Sequence, residues 1–246
     1  MIDSASEPRF EPVRAEPTYR RVALAISERI VARTLRNGEP LPTETELAAQ
    51  LGVNRSTLRE ALRELESNGL LERRKGSKRL VVTRPATATV ARGVSRALAL
   101  QDVTVAEVCE ALVVVMPPLA EAAARRRSAA QLAAVEAAAT RFARNSTVEA
   151  VGEFFRALGA ASENRALALM QEPLVQLLQR SLSVMIDQAP NARARIAAAQ
   201  QRLLEALRNG DAAQAGEWMG KHVRDFRRGF ELAGIDLNGD LDGKGR

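Results

Sequence analysis

The sequence has little of the chemistry on which enzymes and disulfide-bonded or metal-bound domains depend. It contains one cysteine, Cys109, and one histidine, His222, among 246 residues. A single cysteine excludes an intrachain disulfide and a zinc site built from several thiolates. The sequence also has no glycine-rich phosphate loop and no nucleophile elbow. We therefore expect a protein that is not an enzyme and that carries no cofactor.

Long apolar runs are missing too, and aromatic residues are few. No run of 18 apolar residues occurs, so we expect no membrane-spanning helix and no membrane partner. Residues 1–18 are rich in proline, glutamate and arginine and lack the apolar segment of a signal peptide. We expect them to be a disordered arm of a cytoplasmic protein. Hydrophobic residues make up 46% of the chain but aromatic residues only 3%, so leucine, valine and alanine must fill the cores, which favours helices.

Positive charge is in modest excess, and most of the excess lies in the first third of the chain. The chain has 36 lysines and arginines against 30 acids, a net charge of +6. Residues 1–84 hold 16 of these cations and 12 of the acids, a net charge of +4. Contact with phosphate would require such an excess, although a net charge this small does not by itself identify a nucleic-acid-binding protein.

The most informative segment has the pattern of two helices joined by a tight turn. Thr43, followed three residues later by Glu46, forms a capping-box pattern that predicts a helix over 44–51, and Gly52 ends it. Asn54 is a good N-cap for a second helix. Apolar residues recur there at helical spacing and predict one buried stripe: Leu58, Ala61, Leu62 and Leu65. Arginines form an adjacent stripe: Arg55, Arg59 and Arg63.

A short basic hairpin is predicted directly after the second helix, which ends at Gly69. Residues 70–74 and 80–82 have the pattern of short strands on either side of a turn. Residues 73–84 include six cations and no acids. Alone, such a run is as consistent with a solvated turn as with a binding site. Behind an arginine-bearing helix, it predicts a wing that binds the phosphate backbone of DNA.

These elements predict a winged helix-turn-helix domain over residues 19–84, whose first helix covers 19–35. In this fold the second helix of the motif enters the DNA major groove. We expect Arg55 and Arg59 to contact base edges or adjacent phosphates. Ser56 and Thr57 lie in the first turn of that helix, where free N–H groups favour a phosphate.

The segment resembles the DNA-binding domain of the GntR family. The family pattern is matched by LPTETEL at 41–47 and by GVNRSTLREAL at 52–62. The family usually has arginine at the position of Thr45, and glycine and threonine where this chain has Lys78 and Arg79. The second difference favours a wing that binds by charge. With the resemblance included, the expected DNA contacts are Thr43, Thr45, Arg55, Ser56, Thr57, Arg59, Arg74, Lys75, Gly76, Lys78 and Arg79.

Residues 90–233 are predicted to form an all-helical bundle, so the fold class is mainly α. A linker at 85–89 precedes the bundle, and a loose tail at 234–246 follows it. Pro117 and Pro118 are expected to break or kink one of the helices. The expected helical segments are 90–100, 103–126, 128–144, 148–161, 165–188, 192–208 and 212–233. An all-helical domain in this place resembles the FadR-like C-terminal domain, called FCD.

The FCD resemblance implies a site that this chain has largely lost. FCD domains often hold a divalent metal with one aspartate and three histidines, and the metal helps to bind a carboxylate effector. The resemblance places these ligands at Gly152, Arg156, Gln200 and His222. Only the last keeps a metal-binding side chain, so we expect no metal. The family's effector-binding arginine and glutamate correspond to Leu112 and Met116. The candidate pocket residues are therefore Leu112, Met116, Arg156, Gln200 and His222.

The family resemblance implies a homodimeric transcription regulator, more often a repressor than an activator, that reads a short palindrome in double-stranded DNA. Two interpretations of the pocket stay open. It binds a small acidic or amphipathic metabolite that releases the DNA, or it has filled with side chains and the domain only dimerises. If the pocket binds an anion, Arg156 replaces the metal charge, unless it pairs with Glu153 or Glu205. A helical ligand-binding or scaffold protein, whose winged helix contacts other proteins, is a further alternative.

Overall fold

A computed structural model of the chain describes residues 16–74, 76 and 79–239. The chain divides into two units, with the boundary between Ala86 and Thr87. The described part of the first unit has three helices and two strands: α1 (Thr18–Val31), α2 (Glu44–Leu51), α3 (Arg55–Ser67), β1 (Leu71–Arg73) and β2 (Leu80–Val82). The described part of the second unit has eight helices: α4 (Thr87–Ala99), α5 (Val105–Arg126), α6 (Ala129–Asn145), α7 (Val148–Ala161), α8 (Arg165–Leu177), α9 (Gln179–Gln188), α10 (Ala192–Asn209) and α11 (Ala212–Leu232).

Side-chain caps fix the first turns of α2 and α3. The backbone N–H of Glu46 donates to the Thr43 hydroxyl (3.3 Å), and the backbone N–H of Thr43 donates to the Glu46 carboxylate (2.9 Å). Gly52 ends α2 in the left-handed conformation, with φ of 65°, where a side chain would cost energy. Asn54 then accepts from the backbone N–H of Thr57 at 2.8 Å. These caps are the ones that the sequence pattern predicts.

The core of the first unit is built around one face of α3. Its predicted apolar stripe is buried: Leu58, Ala61, Leu62 and Leu65. These side chains pack in one cluster with Val22, Ala23 and Ile26 of α1 and with Leu71, Leu80 and Val82 of the strands. The strands pair antiparallel, with Leu71 opposite Val82 and Arg73 opposite Leu80. One helix face therefore fixes the position of both α1 and the hairpin.

The second unit is a helical bundle in which α5 and α11 pack against each other most extensively. Aromatic residues of α6, α7 and α11 fill its centre, and Phe142, Phe154 and Phe230 are fully buried. Capping boxes begin both α5, at Thr104 and Glu107, and α6, at Ser128 and Gln131. None of the helices in the described part of the chain is both long and apolar enough to cross a membrane.

The predicted break at Pro117 and Pro118 does not occur, because α5 continues through both residues, and a kink there stays a prediction. Each proline lacks the N–H that would bond to a carbonyl one turn earlier, and such a loss usually ends a helix. Here Met116, Leu119 and Ala120 are fully buried beside the two prolines. Their burial in the core holds both halves of α5 in a single helix. Tertiary packing therefore outweighs the tendency of proline to end a helix.

Other boundaries also differ from the predicted ones. Helix α4 begins at Thr87, so the predicted linker 85–89 is shorter. The predicted helix 165–188 is two helices, α8 and α9. The predicted loose tail packs up to Gly239: Ile235 and Leu237 lie against the core, and the Leu237 carbonyl accepts from the N–H of Ala106 at 2.8 Å. Of the predicted arm, residues 1–15 lie outside the described residues, and Thr18 already belongs to α1.

Two glycines of α11 should respond differently to alanine. A Cβ at Gly229 would lie 2.3 Å from the sulfur of Met185 and 3.0 Å from its Cγ, and Met185 is buried. We expect Gly229→Ala to lower the free energy of unfolding by about 1–3 kcal/mol, as overpacked cores do. Urea unfolding measures the change.

Gly216→Ala is the matched control. Its Cβ would lie 2.7 Å from an oxygen and 2.8 Å from the Cγ of Glu121, but the Glu121 side chain is 39% exposed and can adopt another rotamer that points into solvent. Because alanine is a better helix former than glycine by about 1 kcal/mol, Gly216→Ala should be neutral or stabilising. Equal destabilisation by both substitutions would mean that the buried Met185 does not limit the packing of α11.

Candidate nucleic-acid interface

The arginine stripe of α3 faces solvent because the neighbouring stripe is buried. Arg55, Arg59 and Arg63 are all exposed, while Leu58 and Leu62 between them are in the core. Residues four apart lie on the same side of a helix, so the three guanidinium groups share one accessible face. That face is free of packing contacts with the core and can enter a groove of DNA.

Residues in the first turn of α2 hold two of these arginines in place. Nε of Arg59 donates to the Glu44 carboxylate at 2.7 Å. Nη2 of Arg55 donates to the Thr45 hydroxyl at 2.5 Å. Thr45, an expected DNA contact, thus positions Arg55 in the structure. The sequence pattern did not single out Glu44, because a contact between residues 44 and 59 leaves no signal in local spacing.

The start of α3 is partly occupied by its own cap. The Ser56 hydroxyl donates to the Asn54 side-chain oxygen at 2.8 Å, and the Thr57 N–H donates to the same atom at 2.8 Å. A phosphate at this helix end would therefore have to compete with Asn54 for the hydroxyl of Ser56. The positive end of the helix dipole still favours an anion there.

A groove of about 440 Å³ connects α2, α3 and the hairpin, and it brings several predicted contacts together: Thr43, Thr45, Arg55 and Arg79. The backbone N–H and hydroxyl of Thr43, and then the charge of Arg79, lower the pKa of Glu46. Arg74 and Gly76 are exposed near the hairpin turn, and Gly76 adopts a φ of 81°. Lys75 and Lys78 lie outside the described residues.

In the second unit, the structure separates Arg156 from the other candidate pocket residues. Leu112, Met116, Gln200 and His222 are buried, whereas the Arg156 side chain is 47% exposed and pairs with Glu172 at 3.3 Å. The expected partners Glu153 and Glu205 pair with other arginines. Arg156 is therefore not enclosed in an aliphatic pocket, and its guanidinium lies 3.4 Å from where a Cβ at Gly152 would be.

Gln200 and His222 are buried without partners. They are 1% and 2% exposed, and neither side chain has a hydrogen-bond partner among the described residues. The His222 ring lies 4.5 Å from the Phe226 ring and 6.0 Å from the Phe155 ring. Burial lowers the pKa of His222 to about 4, against an opposing effect of Asp225. The imidazole is thus neutral at pH 7, and its unpaired nitrogens cost stability.

A metal site would require several ligating side chains close together. Within residues 16–74, 76 and 79–239, no group of three or more His, Cys, Asp or Glu side chains is arranged to hold a metal ion. Of the four positions that correspond to the FCD ligands, only Gln200 and His222 present buried polar atoms, and a glutamine oxygen is a weak metal ligand. These residues do not fit a tightly bound divalent metal.

Comparison with known proteins places both units in families. Residues 18–81 match the family described as "Bacterial regulatory proteins, gntR family", and residues 107–225 match the FCD domain. The HTH-type transcriptional regulator Rv0494 of Mycobacterium tuberculosis is 34% identical over 171 residues, which cover 65% of this chain and 68% of that protein. The chain belongs to the GntR family of DNA-binding transcription regulators. Its family and its relatives are transcription regulators, not enzymes.

Repressors are among the relatives of this GntR regulator. The histidine utilization repressor of Klebsiella aerogenes is 44% identical over 72 residues, 29% of each chain. The repressor MngR of Escherichia coli is 44% identical over 62 residues, 25% of this chain and 26% of that protein. These matches span less than a third of either relative.

The solved structure of Streptococcus agalactiae GntR has the same fold, with a TM-score of 0.60 and 22% identity over 85% of this chain and 99% of that one. Together with the two family matches, it confirms the predicted fold class, a mainly α chain with an N-terminal winged helix-turn-helix and a helical FCD domain.

Removing the charge of Glu44 should weaken the discrimination of this GntR regulator between DNA sequences. We expect Arg59→Ala to weaken binding to a preferred duplex by about 1–3 kcal/mol, with a smaller loss on random DNA. Glu44→Gln should strengthen binding to random DNA, because it removes a negative charge that repels the phosphates. On the preferred duplex this gain should be offset, because Arg59 loses the charged partner that positions it. The ratio of the affinity for the preferred duplex to the affinity for random DNA should therefore fall. Fluorescence anisotropy with each duplex measures the two affinities.

Glu28→Gln is the matched control, since Glu28 is an exposed acid on α1 of the same unit. It removes the same charge without touching Arg59. If Glu28→Gln lowered the affinity ratio as much as Glu44→Gln, the effect would be one of net charge, and the Glu44–Arg59 contact would have no part in recognition.

The buried imidazole should make the GntR regulator less stable in mild acid. The pKa of His222 is about 4 in the folded protein against an ordinary 6.5. As the pH falls from 6.5 toward 4, the unfolded chain takes up a proton that the folded chain excludes, so stability falls. The loss is on the order of 3 kcal/mol. Above pH 6.5 this contribution is constant.

His222→Leu isolates the effect, because His222 is the one histidine of the chain. The difference in unfolding free energy between the variant and the wild type should shift in favour of the variant between pH 6.5 and 4.5, as urea unfolding at several pH values would show. Both proteins contain the same carboxylates, so the difference between the two profiles reports mainly on the imidazole. Parallel pH profiles would mean that the imidazole is accessible to protons in the folded state.

Proposed function

We propose that this regulator binds a short palindromic operator as a homodimer and represses transcription, and that a small anionic metabolite bound in the helical unit releases it. The observation that carries the proposal is the exposed arginine face of α3, held by Glu44 and Thr45 of α2. Arginine is suited to bidentate contact with guanine in the major groove. The exposure of Arg55 and Arg59 supports such contacts, and Arg63 extends the same face.

The cations of the hairpin contribute affinity that does not depend on the DNA sequence. Arg74 and Arg79 are exposed on either side of its turn, and Lys75 and Lys78 fall between them in the sequence. Contacts of this kind position a protein on the phosphate backbone and add affinity for any duplex. In this proposal α3 selects the DNA sequence, and the wing adds affinity for DNA of any sequence.

A homodimer is supported by the small size of the DNA-reading surface. One helix reads only a few base pairs, and a twofold dimer doubles the contacts and requires a palindromic site. The second unit offers apolar area for such an interface. Val94 on α4, Leu100 just after that helix and Val114 on α5 are large apolar side chains that are exposed.

A second candidate function is a regulator that responds to no ligand. It is favoured by the complete burial of Met116 and the near-complete burial of Leu112, which suggests that side chains fill that part of the helical unit. Against it stand the unpartnered polar atoms of Gln200 and His222, because a core that has only filled with apolar residues would not retain them.

The wing tests the electrostatic part of the proposal. Neutralising Lys75, Lys78 and Arg79 together should flatten the slope of log affinity against log salt by about 0.9 for each phosphate that the wing no longer neutralises. The control replaces three exposed arginines of the helical unit, Arg144, Arg180 and Arg228, and removes the same charge. A slope that changes equally in both variants would show that net charge, and not the wing, determines salt dependence.

Selection of bound sites from a pool of random duplexes tests the palindromic operator and the homodimer. The enriched sites should be palindromes, and light scattering of the complex should give two subunits per duplex. An enriched site without twofold symmetry, or a complex with one subunit, would overturn the dimer proposal while leaving DNA binding intact.

A further inference from the structure

A groove between α10 and α11 combines positive charge, an aromatic ring and a buried imidazole. Its volume is about 320 Å³, at the lower end of the range of small-molecule sites. Each helix contributes residues at helical spacing, among them Ala198, Ala199 and Arg202 from α10 and Trp218, Lys221 and His222 from α11. The two alanines leave room between the helices. Leu112, Met116 and Arg156 do not line this groove.

The cations of the groove are arranged around the Trp218 ring. The Arg202 guanidinium lies 5.8 Å from the ring centroid, and the Lys221 ammonium lies 4.5 Å from it. Both cations also contact exposed acids on their own helices: Arg202 pairs with Glu205 at 3.4 Å, and Lys221 pairs with Glu217 at 2.6 Å. Exposed pairs of this kind contribute little stability, so a bound anion can replace either acid at small cost.

The third cation of the groove has a stronger partner. Arg195 makes a two-pronged contact with Asp225, in which its Nε lies 3.1 Å from one carboxylate oxygen and its Nη2 bonds to the other. Both residues line the groove, and their charges cancel. Arg202 and Lys221 are therefore the cations of the lining whose acidic partners, Glu205 and Glu217, are not themselves lining residues.

The groove differs from an ordinary charged surface patch because a buried polar side chain, that of His222, lines it. It lines the groove while being 2% exposed, and both of its nitrogens lack partners among the described residues. Phe155 and Phe226 pack against its ring and offer no polar group. Natural cores rarely keep buried polar atoms unsatisfied unless a ligand or water meets them. A ligand in the groove with a hydrogen-bonding atom at its inner end would satisfy one of the nitrogens.

We propose that this groove binds a small planar organic anion, such as an aromatic carboxylate or an aryl phosphate. Its charged group bonds to Arg202 and Lys221, its flat apolar body lies between Trp218 and the two alanines, and a polar substituent reaches His222. The inference deepens the proposed function by giving the releasing metabolite a place and a chemical class, and it depends on that function only for the effect on DNA.

Fluorescence of the single tryptophan of the chain tests binding directly, because Trp218 lines the groove. The probes are benzoate, 4-hydroxybenzoate and phenyl phosphate, with benzamide as the uncharged analogue of benzoate and inorganic phosphate as an anion without a planar body. We expect saturable changes with at least one aromatic anion and none with benzamide or phosphate. If no aromatic anion gives saturation, or if benzamide equals benzoate, the proposal is wrong.

Variants locate the site. Ala198→Leu fills the groove and should abolish the response, whereas Ala213→Leu, at an exposed position near the start of α11 outside the groove, should leave it unchanged. Arg202→Gln and Lys221→Gln should each weaken binding by about tenfold or more, as expected for the loss of a charge-assisted hydrogen bond. Binding that survives Ala198→Leu would place the ligand elsewhere.

The same probes separate this inference from the proposed function. If an aromatic anion binds in the groove and leaves DNA affinity unchanged, the groove assignment stands and the release of DNA by a ligand fails. If DNA binding is normal and no anion binds, the groove assignment fails and the DNA-binding function stands.

Discussion

Burial of one face of α3 is the constraint on which the first unit depends. Leu58 and Leu62 lie against α1 and the hairpin, so the neighbouring stripe of α3 has to face solvent. That stripe carries arginine. The left-handed turn at Gly52 then places the first turn of α2 beside it, where Glu44 and Thr45 hold the guanidinium groups. The packing that makes the unit stable therefore also presents and orders its charged face.

In the second unit, by contrast, some polar side chains lie in the interior. At the positions that correspond to FCD metal ligands, Gly152 offers no side chain and Arg156 has its charge at the surface, beside the buried Glu172. Gln200 and His222 stay inside without partners among the described residues. A neutral imidazole and a neutral amide can be buried at lower cost than a carboxylate, so these two positions suit a protein interior better than an unpaired aspartate would.

Sequence alone predicted the features that are determined locally and missed those that depend on packing between distant segments. The Thr43 cap and the buried stripe of α3 follow from spacing within one or two turns, and the structure has both. The pairing of Glu44 with Arg59 joins residues 15 positions apart. The passage of α5 through Pro117 depends on the core around it, and the partner of Arg156 lies on another helix. No local pattern encodes these contacts.

Affinity cleavage tests most directly whether α3 lies in a groove of DNA. An iron chelate attached at Glu60→Cys, an exposed position on α3 that is not an expected DNA contact, would report the position of that helix. The natural Cys109 would not react, because it is buried and its pKa is raised to about 11. If α3 of each subunit enters the groove, two localised sets of cuts should appear, symmetric about the centre of a selected duplex. Cuts spread evenly along a bound duplex, as with the free chelate, would contradict this placement of α3.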